Sequence, residues 1–252
     1  RLITKVHRQG SQATERNEEQ SQKVQIEHNL LKQDIVRVTN LNHELERQLA
    51  LTRPSIKTPV QPSGTDVPFT VTVNLDNDQL GINTMEQFYT SLKDDYKNFI
   101  LEPEITKDVI RLEIIPDFIR SLYLGVVNSG TTVPKGNNIN ESMSTHKAAF
   151  FHNNGSVYHK GIPKAGNNKM ISNQKVAIEV NMNSNPRTAH LFIDGKQQPV
   201  FISGLPSSIQ FFFQLYYEDD QIQILSLKRL NEPTVQIVEK ADEVKYYVNK
   251  AL

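Results

Sequence analysis

The stretch that most constrains this chain is residues 188–202, TAHLFIDGKQQPVFI, in which two apolar arms meet at Asp194-Gly195. A two-residue Asp-Gly connection is a strong β-hairpin signal, because a type I′ turn needs positive φ at both central residues and its twist matches that of the flanking strands. Such a hairpin needs further strands around it, and both flanks offer them. Ile110, Leu112 and Ile114 alternate with more polar neighbours; Pro116 reads as an interruption, and Leu122, Leu124 and Val126 resume the rhythm. Val176, Ile178, Val180 and Met182 share one face of a strand, as do Ile209, Phe211, Phe213, Leu215 and Tyr217. QIQIL returns after Glu218-Asp219-Asp220, read as a solvated hairpin turn. Upstream, Val71, Val73 and Leu75 line one side of FTVTVNL. Met85, Phe88, Leu92, Tyr96 and Phe99, spaced by three and four after Thr84, predict a short helix capped with the help of Gln87. Many short strands and one modest helix make the chain mainly β, an antiparallel β-sandwich.

The N-terminal part follows a different period. Val24, Leu31, Val38 and Leu45 recur every seventh residue, and His28, Ile35, Asn42 and Leu49 fill the alternate positions. A 3.5-residue period makes a narrow seam that is buried only against a partner helix, and Asn42 at an a position suits a parallel dimer. The alternative is one amphipathic helix packed on its own domain. Pro54, Pro59, Pro62 and Ser63-Gly64 then end the helix and extend the chain. The expected organisation is a disordered tail at 1–20, a coiled coil at 21–53, a linker at 54–68, the sandwich at 69–230 and a C-terminal tail at 231–252 that adds an edge strand or stays loose. A first residue Arg1 fits a piece of a longer protein.

Composition narrows the function. Lys+Arg and Asp+Glu balance at 28 each, so no global field draws the chain to nucleic acid or to an acidic membrane. The absence of cysteine removes disulfides, thiolate metal sites and a cysteine nucleophile, and points to an intracellular, cytoplasmic address. No apolar run has a membrane-spanning length. His152 and His159 flank Gly155 but lack the further ligands of a metal site, Glu179 stands alone on its strand, and no glycine-rich phosphate cradle is present. No enzyme, cofactor or metal is expected.

Several of these features, in this order, resemble the SPRY domain, and most closely divergent SPRY-like proteins of flagellate protists. They are YLGVV at 123–127, AFFHNNGSVYHKG at 149–161, NQKVAIEVNM at 173–182, the Asp194-Gly195 hairpin, and LPSSIQFFFQLYY at 205–217. The resemblance covers about residues 110–230 and implies a two-sheet, concanavalin-like sandwich that binds proteins through variable loops and carries no catalytic machinery. Binding residues reside in long loops on a rigid scaffold, here 128–146 and 151–173, which singles out His152, Tyr158, His159 and Lys160. The reading is therefore an adaptor-like homodimer, joined through Val24, Leu31, Ile35, Val38, Asn42, Leu45 and Leu49, whose sandwiches bind peptide or protein segments. The alternative is a carbohydrate-binding, lectin-like sandwich.

Overall fold

The chain divides into two units, residues 1–60 and 61–252. The structure, a computed structural model, describes residues 20, 22–25, 28, 30 and 37 of the first unit, and residues 62–73, 80–133, 135–142, 147–236, 238 and 241–246 of the second. Those of the first unit are helical, and Val24 of the heptad seam is 60% exposed. The other seam residues, Leu31, Ile35, Val38, Asn42, Leu45 and Leu49, lie outside the described residues, as does Leu75.

The second unit is built from strands. In chain order they are β1 (Gly64–Asp66), β2 (Thr70–Val73), β3 (Leu80–Asn83), β4 (Phe88–Ser91), β5 (Lys97–Glu102) and β6 (Val109–Phe118). Then come β7 (Leu122–Asn128), a helical turn (Ile139–Ser142), β8 (Ala148–His152), β9 (Ser156–His159), β10 (Ile162–Ala165) and β11 (Val176–Asn181). The last are β12 (Thr188–Ile193), β13 (Lys196–Gln197), β14 (Val200–Ser203), β15 (Ile209–Leu215), β16 (Gln221–Leu230) and β17 (Asp242–Lys245). A ten-stranded sheet runs β17-β14-β12-β11-β6-β16-β4-β3, with β1 also on β16 and β13 on β12; a seven-stranded sheet runs β10-β9-β8-β7-β15-β5-β2.

The two sheets share one core, which the alternation of the strands dictates. Ile110, Leu112 and Ile114 of β6 and Val176, Ile178 and Val180 of β11 meet Leu122, Leu124 and Val126 of β7 and Phe211 and Phe213 of β15 in a single apolar cluster. Asp194 and Gly195 have φ of 48° and 76°, as the type I′ turn requires, and Ile193 faces Lys196 across it. Beyond Gln197 the second arm bulges at Gln198 and Pro199 before β14 rejoins β12, because proline offers no ladder donor. The hairpin is buried on both faces of β12 except at Thr188.

Four expectations change. The segment spaced like a helix is a pair of strands: Asn83 Oδ1 accepts from Met85 N at 3.1 Å and Glu86 N at 3.2 Å, and Gln87 adopts φ 56°, which makes a turn between β3 and β4. Tyr89 then points inward, its ring 5.6 Å from both Phe99 and Phe213, which stack at 4.2 Å. Pro116 does not interrupt β6; it faces Ile222 where the β16 ladder is already irregular. The pairing is not wholly antiparallel, since β17 lies parallel to β14. Finally, Glu218 and Asp219 are exposed but Asp220 is fully buried, and its carboxylate accepts from Arg120 N at 2.6 Å, Tyr217 N at 3.1 Å and Ser121 N at 3.3 Å. Burial pushes its pKa up, against the pull of those backbone donors.

Strand pairing extends into both flanking segments, with β1 inside the stretch read as linker and β17 inside the stretch read as tail. β17 also ties the two sheets together at one edge. Lys164 of β10 lies 2.5 Å from Asp242, and Tyr246 is buried, stacked on His159 at 4.6 Å and donating its hydroxyl to Asn128 Oδ1 at 2.5 Å.

Candidate recognition face

The outward positions of the seven-stranded sheet carry the candidate site. Tyr123 of β7, Phe150 of β8 and Tyr158 of β9 fall on that face because each is one residue out of step with the core positions Leu124, Phe151 and Val157. Antiparallel register aligns them. Phe150 pairs with Gly125 on one side and Tyr158 on the other, so the three rings stack in a row at 4.5 and 5.2 Å, within 11° and 8° of parallel. Gly125 is required here: a Cβ would stand 2.2 Å from Ala149 O and 2.6 Å from Phe150 Cα.

A loop, described at residues 129–133 and 135–142, is laid over this face and held by amides. Gln210 Oε1 accepts from Gly130 N at 3.1 Å while its amide donates to Glu102 at 2.6 Å. Asn137 O accepts from Asn98 Nδ2 at 2.9 Å and Gln214 Nε2 at 3.4 Å, and Gln214 also donates to Asn98 Oδ1 at 2.5 Å. Asn98, Gln210 and Gln214 are all buried, and each amide finds its partners within the protein. Val133 and Ile139 of the loop pack onto Val127, Phe150 and Phe212 as a second, smaller apolar cluster. Between this loop and β2, β5 and β15 a groove of about 210 Å³ remains open, lined by Thr72, Ile100, Glu102, Thr131, Val133 and Gln210 among others.

The four residues singled out by sequence divide. His152 and Tyr158 come together on the outer face, half-buried with rings 5.9 Å apart, and His152 is also 4.8 Å from Tyr123. Asn154 N donates to His152 Nδ1 at 3.0 Å, so the neutral ring carries its proton on Nε2; burial lowers its pKa, and the side chain of Asn154 partly opposes that. Lys160 sits at φ 58° with Gly161 at φ 74° in a two-residue turn that joins β9 to β10. His159 faces the other way, buried against Tyr246 with Nδ1 2.8 Å from Ala148 O, and leaves the candidate set. The reason is the strand itself: neighbours in β9 point to opposite faces.

Sequence inspection missed Tyr123 and Phe150, whose only signal is the strand register, and read Glu179 as alone. In the fold Glu179 is fully buried on the outer face of the ten-stranded sheet, with Arg111 Nη1 3.1 Å from Oε2 and Thr234 N 2.8 Å from Oε1. Arg111 also bonds Glu113 at 3.1 Å and lies 4.3 Å over the Phe192 ring. Lys175 reaches the other oxygen of Glu113 at 3.0 Å. Among the described residues no group of three or more His, Cys, Asp or Glu is placed to hold a metal ion, and no helix is long and apolar enough to cross a membrane.

No protein-family model and no curated protein matches the chain. Solved structures do. The SPRY domain of human HERC1 aligns at TM-score 0.45 and 10% identity, covering 58% of this chain and 92% of that one. A human SPRY domain aligns at 0.44 and 10%, over 66% and 99%. The TRIM65 PSpry domain aligns at 0.44 and 12%, over 59% and 86%.

Proposed function

We propose that this chain is a non-enzymatic interaction module of SPRY type, which binds a peptide or protein segment through the loop-dressed outer face of its seven-stranded sheet. The observation that carries the reading is the loop held over this face at Gly130 and Asn137, which leaves a groove of about 210 Å³ over β2, β5 and β15 while a row of stacked rings lies on β7, β8 and β9 of the same face. Half-buried tyrosine and histidine beside main-chain and amide groups make a surface that can bury an apolar side chain and bond a peptide backbone. The order of the motifs at 123–217 supports the family reading. The N-terminal heptads join two copies, which raises the effective concentration of two weak sites. Val24 supports this, as an apolar helical seam residue 60% exposed.

The test compares proteins captured from a lysate by the full chain and by its His152→Ala/Lys160→Glu variant, with matched thermal unfolding as the folding control. Partners lost selectively from the variant support the reading; identical capture by both contradicts it. Light scattering of the intact chain tests the assembly: twice the 28.7 kDa chain mass is expected, and a monomer contradicts it.

A further inference from the structure

A second surface lies on the other sheet, where β3 forms the edge. A groove of about 460 Å³ opens there, lined by Gly81, Ile82, Glu86, Phe88, Thr90 and Asp117 among others. The same lining holds two carboxylates, Glu86 and Asp117, and no Lys, Arg or His. Arg120, beyond the groove, is turned onto the rings of Tyr217 and Phe118, 4.7 and 5.7 Å from their centroids, and donates to Glu218 O. Large apolar side chains gather around this end: Ile82 is 46% exposed, Met85 94% and Phe118 49%. Phe118 is paired with Gln221, which also lines the groove. Isolated exposed apolar residues are ordinary, but several beside a groove mark an interaction surface.

The edge supplies the second half of the argument. Among the described residues, β3 pairs only with β4, so no strand occupies its outer side. Ile82 pairs with Tyr89 and so shares the core side of the sheet, whereas Gly81 pairs with Thr90 and shares the side on which the groove lies. A strand added to β3 would place alternate side chains on these two sides. One set would cover Ile82; the other would stand over a groove whose only charges are negative.

We propose that this edge docks an extended segment of a partner protein in which Lys or Arg alternates with branched apolar residues. Main-chain bonds to β3 supply affinity, the apolar set covers Ile82, and the cations face Glu86 and Asp117. Opposite charge at such a rim sets specificity and the rate of encounter.

Fluorescence anisotropy with the full chain and a labelled heptapeptide of alternating lysine and valine tests this. The expected result is saturable binding that weakens at least about tenfold in Glu86→Lys/Asp117→Lys, a pair of exposed positions, and by a similar factor in Ile82→Asn. The charge-reversed variant should instead bind the glutamate-valine peptide. His152→Ala/Lys160→Glu should bind the lysine-valine peptide as the wild type does, which separates this surface from the loop-dressed face. Three results overturn the proposal: no binding of the lysine-valine peptide, equal binding by the charge-reversed variant, or a scattering mass that falls on charge reversal and so assigns the edge to a second copy of the chain.

Discussion

On the seven-stranded sheet the outer face is held mainly by neutral groups: the amides of Asn98, Gln210 and Gln214 hold a loop, with Glu102 accepting from Gln210, and rings fill the rest. On the ten-stranded sheet the same layer is built from charge, with Arg111 between Glu113 and Glu179, and Thr234 of the C-terminal segment closing the set. The two coverings differ in what they tolerate. An amide that loses one partner leaves a dipole to be satisfied, at about 1–3 kcal/mol, whereas a buried ion that loses its partner leaves a bare charge. The charged face is therefore a lock, which fixes residues 231–236 and resists change. The neutral face keeps its loop in place while leaving a groove and ring edges for a partner.

The sharpest way to break this comparison is Arg111→Ala. It removes the cation between two buried carboxylates, leaving Glu179 only its bonds from Thr234 and Glu113 only the half-exposed Lys175, and should lower stability by about 3–5 kcal/mol in chemical denaturation. Gln214→Ala, its counterpart on the neutral face, should cost about 1–3 kcal/mol. Equal losses would remove the distinction between the faces.

The pH dependence comes next and also belongs to the charged face. His190 is buried on β12, stacked on Phe201 at 4.6 Å, and burial pushes its pKa down to about 4. A histidine whose folded pKa is depressed stabilises the fold fully above its unfolded value, near 6.5, and that contribution fades as pH falls through about 4. The loss should approach about 3 kcal/mol, and His190→Phe should flatten the profile between these two values. A profile in this range that is unchanged by His190→Phe would assign the titration elsewhere.

A smaller effect sits where the two sheets are tied. Tyr246→Phe keeps the stack on His159 and removes only the bond to Asn128, so a loss of about 0.5–1.5 kcal/mol is expected. The least costly substitution is His152→Ala on the recognition face, which should change stability by under about 1 kcal/mol because that ring is half-buried at the rim.

What the sequence reveals follows the range of the interactions involved. The period of two in β6, β7, β11 and β15 is a property of each strand alone, and it points the same residues inward that the core contains. The Asp194-Gly195 turn is equally local. The β3–β5 region misleads because its helix-like spacing of three and four is not a shared face: Met85 is 94% and Leu92 41% exposed, Phe88 alternates with the inward Tyr89, and of the five spaced residues only Phe99 enters the core. Asp220 looks like one of three surface acids, since the backbone donor at Arg120 that buries it lies a hundred residues away. The recognition face combines both cases. Tyr158 and His159 are adjacent, so strand geometry alone says that only one can face a partner; which one, and that Tyr123 and Phe150 join it, depends on how β7, β8 and β9 register. Loop 129–142 is legible as a long polar connection, but its seat on Gln210, Asn98 and Gln214 is not.

Hydrogen exchange on the full chain, with and without a captured partner, tests the central claim directly. The account predicts slower exchange on binding at residues 129–142 and 152–160, with residues 231–236 on the charged face unchanged. Protection confined to the charged face, with loop 129–142 exchanging as freely as before, would contradict it.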